Sequence, residues 1–322
     1  MKILTHAVHT SWEYEFAKTG HQIYSVDLGA LGGAWNTQQR PKPDNVHLID
    51  KECFDNGIGF NDKKVWGESD FDIAIAHTQV GYNFFKDMKI PLIYKLHTVD
   101  AEKKVDEDIE KRVNFFCFNN KEASDKWIFK DINKKRIIEH SIDTNVFCNY
   151  NGKIKKILCV GNKLPIRLDK GVENIRKLAE RYEVVVCGQG NEGFQGVKGI
   201  ELIEPKNLFE LAEAFRNHEI FFNPADTLPM SQLEAMATGM PTIGFKARNS
   251  KNLIVCGVNG FQFDSFEKIC QAIELISARP CVAKGIGEKG RKTIETRYNT
   301  NRFVREWNDI LEIAVQQGYL HE

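Results

Sequence analysis

The sequence predicts an α/β protein built from two doubly wound, Rossmann-like domains. Three observations carry that expectation. The chain has 322 residues, two domains' worth at about 150 residues each. Short apolar runs alternate with amphipathic stretches, the pattern of β-α units around a parallel sheet. That pattern fills the first half and then restarts after the polar, basic stretch 153–156.

In the first half, apolar runs of strand length lie at residues 2–5, 22–26, 73–76, 92–96, 115–118 and 136–138. Helical spacing fits 11–18, which Gly20 stops, and 121–129. Residues 29–45 hold three glycines, two prolines and Trp35, the composition of a long surface loop. In the second half, strand 157–160 and the turn at Gly161 lead to a helix over 170–181 and a strand over 183–187. Helix 208–217, strand 220–223, helix 231–238 and strand 242–245 follow. Two helices, 266–276 and 286–298, and a last amphipathic helix, 302–317, close the chain. These elements divide it into domains 1–148 and 149–299, with a terminal helix in 300–322.

Lys plus Arg and Asp plus Glu both number 44, so the formal net charge is zero. This balance excludes an acidic disordered tail and a strongly basic whole-chain nucleic-acid binder. No apolar run approaches the roughly 18–20 residues of a membrane span. The N-terminal run breaks at Lys2 and Thr5-His6, which reads as a first strand rather than a leader. Eight cysteines show no C-x-x-C pair, and Cys117, Cys159 and Cys187 lie in apolar runs. Buried, reduced thiols behave this way, so a cytoplasmic protein without a disulfide framework or structural metal is expected.

The densest chemistry lies between Asp226 and Pro241. Asp226 follows a strand, at the carboxyl edge where open α/β sheets bind ligands. Pro229 opens a helix and leaves the amides of Met230, Ser231 and Gln232 without intrahelical partners, a seat for a phosphate. Glu234, one turn inside, can accept bonds from a ribose diol or simply solvate the helix. Seven residues separate Asp226 from Glu234, and Glu-Ala-Met-Ala-Thr-Gly-Met-Pro runs from 234 to 241.

This segment resembles the donor-site signature of retaining family-4 glycosyltransferases (glycosyl transferases group 1). The resemblance extends over most of the second half. Ile157-Leu-Cys-Val-Gly161 with Lys170-Gly171 is similar to the first donor-domain strand and its phosphate-binding lysine. Val184-Val-Val-Cys-Gly188-Gln-Gly190 is similar to the next strand and its glycine turn, and Gly257-Val-Asn-Gly-Phe261 to a late loop. Ser141-Ile-Asp-Thr-Asn-Val-Phe147 resembles the segment before the interdomain linker.

The resemblance implies the GT-B fold, two Rossmann-like domains facing across a cleft, with the last helix returning to the N-terminal domain. It implies transfer of a hexose or pentose from a nucleoside-diphosphate sugar, UDP-sugar favoured, with retention and without a metal or other cofactor. By position, Glu234 would hold the ribose, and Asp226 hydroxyls of the transferred sugar. The family usually has Glu at the latter place, and Asp reaches roughly 1.5 Å less. Lys170 would meet the charge that builds on the departing diphosphate, assisted by Arg167 and Lys163. Asn162 stands where the family usually has Arg. Gly161, Gly188, Pro229, Met230 and Ser231 complete the donor side.

In the first half, His97 ends a strand and resembles a family histidine close to the donor sugar. It need not be a base, because a front-face reaction can use the departing phosphate oxygen. His77 ends strand 73–76, and His6 and His9 lie in the first strand-to-helix loop, where the family often has glycines. With Trp35 they are the candidates for the acceptor side. The acceptor is open: a glycan, a small molecule, or modified bases in phage-type DNA. Lys126, Lys130, Lys134, Lys135 and Arg136 around Trp127 keep DNA in view, although a solvated helix face explains them as well. A nucleotide-sugar epimerase and a non-catalytic nucleotide-sugar-binding subunit are the other readings. Asp70-Phe-Asp72 reads as polar residues opening a strand rather than a metal pair. Gly188-Gln-Gly190 lacks the following helix that a nicotinamide site needs.

Overall fold

The computed structural model describes residues 1–28, 35–50, 70–97, 102–167, 171–248 and 252–319. The chain divides into two compact units, residues 1–141 with 300–322, and residues 142–299.

Unit 1 is built on a parallel sheet. Its strands are β1 (Lys2–His6), β2 (Gln22–Asp27), β3 (Val46–Asp50), β4 (Ile73–Ala76), β5 (Leu92–Leu96), β7 (Phe115–Phe118) and β9 (Lys135–Ile137). They lie in the order β3-β2-β1-β4-β5-β7-β9. A small parallel pair, β6 (Lys103–Lys104) with β8 (Trp127–Ile128), stands apart from it. The strand order reverses direction between β1 and β4, which makes their carboxyl ends the switch point of the sheet. β4 and β7 are buried along their whole length, as a parallel sheet covered on both faces requires. Ile3, Ile73, Ile75, Ile93 and Cys117 face one core with Trp12, Phe16, Phe303 and Trp307. Leu4, Ala74, Leu92, Phe116 and Phe118 face the other.

The final helix, α10 (Thr300–Tyr319), is part of unit 1. Phe303, Trp307, Ile310, Leu311 and Ala314 bury the 3–4 spaced stripe of the helix in the first of these cores. Arg302 donates to the carbonyls of Glu139 and His140 at 2.9 and 2.8 Å.

Unit 2 holds a six-stranded parallel sheet in the order β12-β11-β10-β13-β14-β15. The strands are β10 (Ile154–Val160), β11 (Val184–Cys187), β12 (Ile200–Ile203), β13 (His218–Asn223), β14 (Thr242–Phe245) and β15 (Phe261–Phe263). Here the reversal lies between β10 and β13. The helix α7 (Met230–Thr238) follows β13 and is buried at nearly every position. It ends at Gly239 with φ 90°, a left-handed cap that glycine adopts without strain. At Gly287 a methyl group would lie 1.9 Å from the Gly239 carbonyl oxygen. Only a glycine lets the helix Pro280–Arg297 come this close.

Two expectations are corrected. The first boundary lies at Ser141/Ile142 rather than at 148, because two arginines of unit 2 hold the intervening segment. Arg291 donates to the carbonyls of Thr144 and Phe147, at 3.2 and 2.9 Å. Arg216 donates to those of Val146 and Cys148, at 2.7 and 2.9 Å. The expected helix over 121–129 stops at Asp125. Trp127 and Phe129 both pack on Phe118 while Ile128 between them is exposed. That alternation has the period of a strand.

Candidate nucleotide-sugar site and histidine cluster

In unit 2 two turns lock together at the carboxyl ends of β10 and β11. Asn191 is buried, and its side-chain amide donates to the carbonyls of Gly161 and Gly188 at 2.8 and 2.9 Å. Its Oδ1 accepts from the Leu164 amide at 3.0 Å. The Lys163 amide donates to the Gln189 carbonyl at 2.7 Å, and the Gln189 amide to Asn162 Oδ1 at 2.9 Å. A methyl group on Gly188, whose φ is 136°, would meet the Gly161 carbonyl oxygen at 2.4 Å. Glycine is therefore what allows the two turns to touch. Asn162 thus ties the second turn down. Lys163 takes the left-handed conformation, φ 53°, and its side chain and that of Arg167 are exposed. Neither forms an ion pair among the described residues. Lys170 lies outside the described residues, but its neighbour Gly171 does not. With φ 72°, Gly171 sits where a methyl group would be 2.1 Å from the Pro224 carbonyl oxygen. The lysine thus precedes a point of chain pressed against the loop that carries Asp226.

That loop is organised from within. Asn223 is buried, and its amide nitrogen donates to the Thr227 carbonyl and to Gln232 Oε1, at 2.9 and 3.0 Å. Pro229 caps α7. The Gln232 amide is not free as expected; it donates back to the Pro229 carbonyl at 3.2 Å. This tightens the first turn and leaves Met230 and Ser231 as the amides that the helix does not use. The Ser231 hydroxyl donates to the Val160 carbonyl at 3.2 Å and so ties α7 to the end of β10. Glu234 is only 3 % exposed. Burial pushes the Cys187 thiol up to about 12, with the Glu234 carboxylate adding to the effect. The carboxylate therefore acts on the end of β11, beside the glycine turn. Asp226 is exposed and meets Arg248, Nε to Oδ2 at 3.3 Å. The Arg248 amide also donates to the Asp226 carbonyl at 2.8 Å. Sequence reasoning missed Arg248, since nothing in its local pattern links it to a residue in the preceding loop.

In unit 1 the histidines converge, because β1, β4 and β5 are neighbours in the sheet. Thr5 Oγ1 is 3.0 Å from His77 Nε2, His77 Nδ1 is 2.9 Å from His97 Nε2, and the His77 amide donates to His6 Nε2 at 2.9 Å. The His9 ring packs against His97 with centroids 4.5 Å apart, and Trp12 sets its edge on both His77 and His97. Glu13 holds the loop in front, accepting from the amides of Val8 and His9 at 2.6 and 3.1 Å. Lys95 is fully buried and donates to Asn119, whose amide nitrogen donates to the His97 carbonyl at 3.0 Å.

Trp35 does not join them. It is a core residue, and its indole donates to the Arg40 carbonyl at 2.9 Å, so no face is left for stacking. Several residues of the basic stretch near Trp127 are held by local contacts, although Lys130 stays exposed. Lys130 pairs with Glu107 at 2.6 Å, Lys134 donates to the Val113 carbonyl and Lys135 to that of Trp127, and Arg136 lies over the Phe115 ring. Asp72 accepts from the Lys2 amide at 2.7 Å, a strand-opening role. A short 3-10 turn, Glu192–Phe194, and no α-helix follows Gly188-Gln-Gly190.

The cluster sets a pH dependence. Burial pushes His6 down to about 4 and His140 to about 3, and holds His77 and His97 well below the ordinary imidazole range. The unfolded chain takes up these protons near pH 6.5, so below that the folded form binds fewer. This stability is complete above pH 6.5 and lost as pH falls toward 4. Glu13, pushed up to about 7 by burial, acts oppositely, its contribution fading as pH rises toward 7. Four imidazoles outweigh one carboxyl, so the unfolding midpoint of unit 1 is expected to drop on acidification from pH 6.5 to 4. All five tryptophans fall within its residues, and their fluorescence reads that transition alone. A midpoint that stays level or rises contradicts the expectation.

Comparison with known proteins places this geometry. Residues 154–279 match the family glycosyl transferases group 1. The chain is 25 % identical over 176 residues to an uncharacterized glycosyltransferase of Haemophilus influenzae, covering 49 % of each chain. It is 33 % identical over 107 residues to a GDP-mannose-dependent alpha-mannosyltransferase of Corynebacterium glutamicum, 30 % of this chain and 25 % of that one. The chain thus spans half or less of the length of these curated relatives. Among solved structures, HepE of Anabaena in complex with UDP-glucose superposes with a TM-score of 0.74 at 14 % identity, over 97 % of this chain and 99 % of that one. Sucrose-phosphate synthase of Thermosynechococcus elongatus gives 0.70 at 13 % identity over the whole of both chains. The chain has the GT-B fold of two Rossmann-like units, with glycosyl transferases group 1 as the family that its second unit matches.

Proposed function

We propose that the protein is a retaining glycosyltransferase that moves a hexose or pentose from a nucleoside-diphosphate sugar, UDP-sugar first among them, to a hydroxyl-bearing acceptor. The carrying observation is the buried carboxylate of Glu234, set at the switch point of unit 2 beside two interlocked glycine turns. A carboxylate at the carboxyl edge of an open α/β sheet is placed to accept from the two hydroxyls of a ribose. The turns bring backbone amides toward a diphosphate, and Met230 and Ser231 present helix amides to it. HepE has been crystallised with UDP-glucose, which favours uridine; the name of the mannosyltransferase relative makes a guanosine donor the main competitor. Asp226, oriented by Arg248, meets the transferred sugar. Lys170, with Lys163 and Arg167 in support, meets the charge that grows on the diphosphate. Retention follows from a front-face attack in which the departing phosphate oxygen takes the acceptor proton, so that no metal or other cofactor is required. Unit 1 is the acceptor side, with His6, His9 and His77 as its polar groups and His97 close to the transferred sugar, in a cytoplasmic enzyme.

Glu234→Ala is expected to weaken the donor by about tenfold to a hundredfold, the worth of a charge-assisted hydrogen bond or two. The measurement is the thermal shift produced by a panel of nucleotide-sugars, since stabilisation follows ligand concentration over affinity. Mass spectrometry of donor incubated without acceptor then separates transferase from epimerase and binder: slow hydrolysis, epimerised donor or unchanged donor. If Glu234→Ala and Lys170→Ala both keep full donor hydrolysis and transfer, the assignment is wrong.

A further inference from the structure

We propose that a relay from Thr5 through His77 sets the ring of His97 so that its Nδ1 presents a lone pair, making this atom an acceptor for a substrate hydroxyl. The relay lies wholly within unit 1, and its use in catalysis rests on the reading above.

The argument is one of counting protons. Thr5 Oγ1 lies 3.0 Å from the Ile75 carbonyl oxygen and 3.0 Å from His77 Nε2. A hydroxyl has one proton to give. The carbonyl can only accept, so the proton goes there, and the second contact must run from His77 Nε2–H to Oγ1. A neutral imidazole carries a single N–H, which leaves His77 Nδ1 as an acceptor. The 2.9 Å contact between His77 Nδ1 and His97 Nε2 is then donated by His97. Its one proton is used, and Nδ1 is bare. That atom has no hydrogen-bond partner among the described residues.

The surroundings hold both rings neutral and in place. The groups that face them are His6 at the end of β1, His9 in the loop that follows, Lys95 on β5, and His140. None of these is a carboxylate that would stabilise an imidazolium, a charged Lys95 repels one, and burial has the largest effect. His6 accepts the His77 amide through Nε2, so its own proton sits on Nδ1. Asn119 pins the His97 carbonyl, and Trp12 blocks rotation of both rings with centroid separations of 4.9 and 5.7 Å.

The consequence is chemical selectivity at the carboxyl end of β5. A bare imidazole nitrogen accepts from a hydroxyl and offers nothing to a phosphate oxygen, which has no proton to donate. His97 is thereby matched to a sugar or acceptor hydroxyl rather than to the diphosphate. Thr5 and His77 are positioning residues for it.

The test is the imidazole nitrogen spectrum of the full chain, with 15N-labelled histidine at neutral pH and His97 identified by its loss in His97→Asn. The expected pattern is a protonated Nε2 and an unprotonated Nδ1 on His97. A protonated Nδ1 overturns the proposal. Thr5→Val removes the acceptor of His77 Nε2–H; the His77 proton then moves to Nδ1, and His97 is driven to the opposite tautomer. With it, kcat is expected to fall about tenfold, the worth of one hydrogen bond, with the donor KM little changed. Thr5→Ser restores both. If Thr5→Val does not fold, the unsubstituted protein and Thr5→Ser still decide, because both must show the bare Nδ1. Absence of any transfer activity defeats the functional reading and leaves the nitrogen spectrum to judge the relay by itself.

Discussion

Lys170→Ala is expected to slow sugar transfer about a hundredfold or more, the effect of removing one preorganised donor from a charge that develops in the transition state. Breaking the glycosidic bond moves a full negative charge onto the diphosphate, and a cation held in place beforehand lowers that barrier without reorganising. Gly171, the next residue in sequence, has φ 72° and is pressed against the Pro224 carbonyl oxygen. Lys163 and Arg167 are exposed, and an exposed cation is a weaker substitute because solvent screens it. The substitution should therefore lower kcat far more than it changes donor affinity or the unfolding midpoint, and Lys170→Arg should recover part of the rate. Transfer kinetics with donor varied will check this. An unchanged kcat would move the role to Lys163 or Arg167, which the corresponding alanine variants would then reveal.

Trp307→Ala is expected to destabilise unit 1 by about 3–5 kcal/mol, the range for truncating a large buried aromatic. Trp307 is wholly buried. It meets Trp12 and Phe16 edge to face, with centroids 5.5 and 5.1 Å apart, and shares their core with Phe303, Ile310, Leu311 and Ala314 of the same helix. Its indole nitrogen has no hydrogen-bond partner among the described residues. Trp307→Phe, which removes that unpaired group but keeps most of the ring, should cost much less. Urea unfolding followed by the remaining tryptophans reads unit 1 selectively. A midpoint unchanged in Trp307→Ala would mean that the helix contributes no core.

The two predictions differ in how far the sequence alone could have reached them. Lys170 is reached only through the resemblance of Gly161 and Lys170-Gly171 to a glycosyltransferase phosphate site. Trp307 is legible as part of an apolar stripe, but nothing in the stripe says which core receives it. The strands show the same divide. β1, β4, β5 and β7 announce themselves because both faces are buried and the runs are nearly continuous. β3, β12 and β15 did not. β3 and β12 are edge strands, where polar residues such as His47 and Glu201 interrupt the run. The three residues of β15 are too few to show a period.

At the candidate site, the donor-side pattern from Asp226 to Pro241 is local, and so are the glycines at 161, 171 and 188 and the cap at Gly239. A close approach or a positive φ leaves a glycine in the sequence. What is absent from it is pairing at a distance. Arg248 orients Asp226 across 22 residues, and Asn191 locks a turn 30 residues upstream. Trp35 carries the composition of a binding surface, yet the fold uses it as core, and Lys134 and Lys135 near Trp127 are bonded to backbone carbonyls.

The sequence by itself determined the class of fold and the order of its β-α units, because periodicity, caps and turns are set by residues a few positions apart. Tertiary structure alone decided that His6, His77 and His97 share one hydrogen-bonded network, and which proton each of these rings carries. Strand order brings the ends of β1, β4 and β5 together, and the tautomers follow only once Thr5 and the Ile75 carbonyl stand beside them. No local rule counts protons across a sheet.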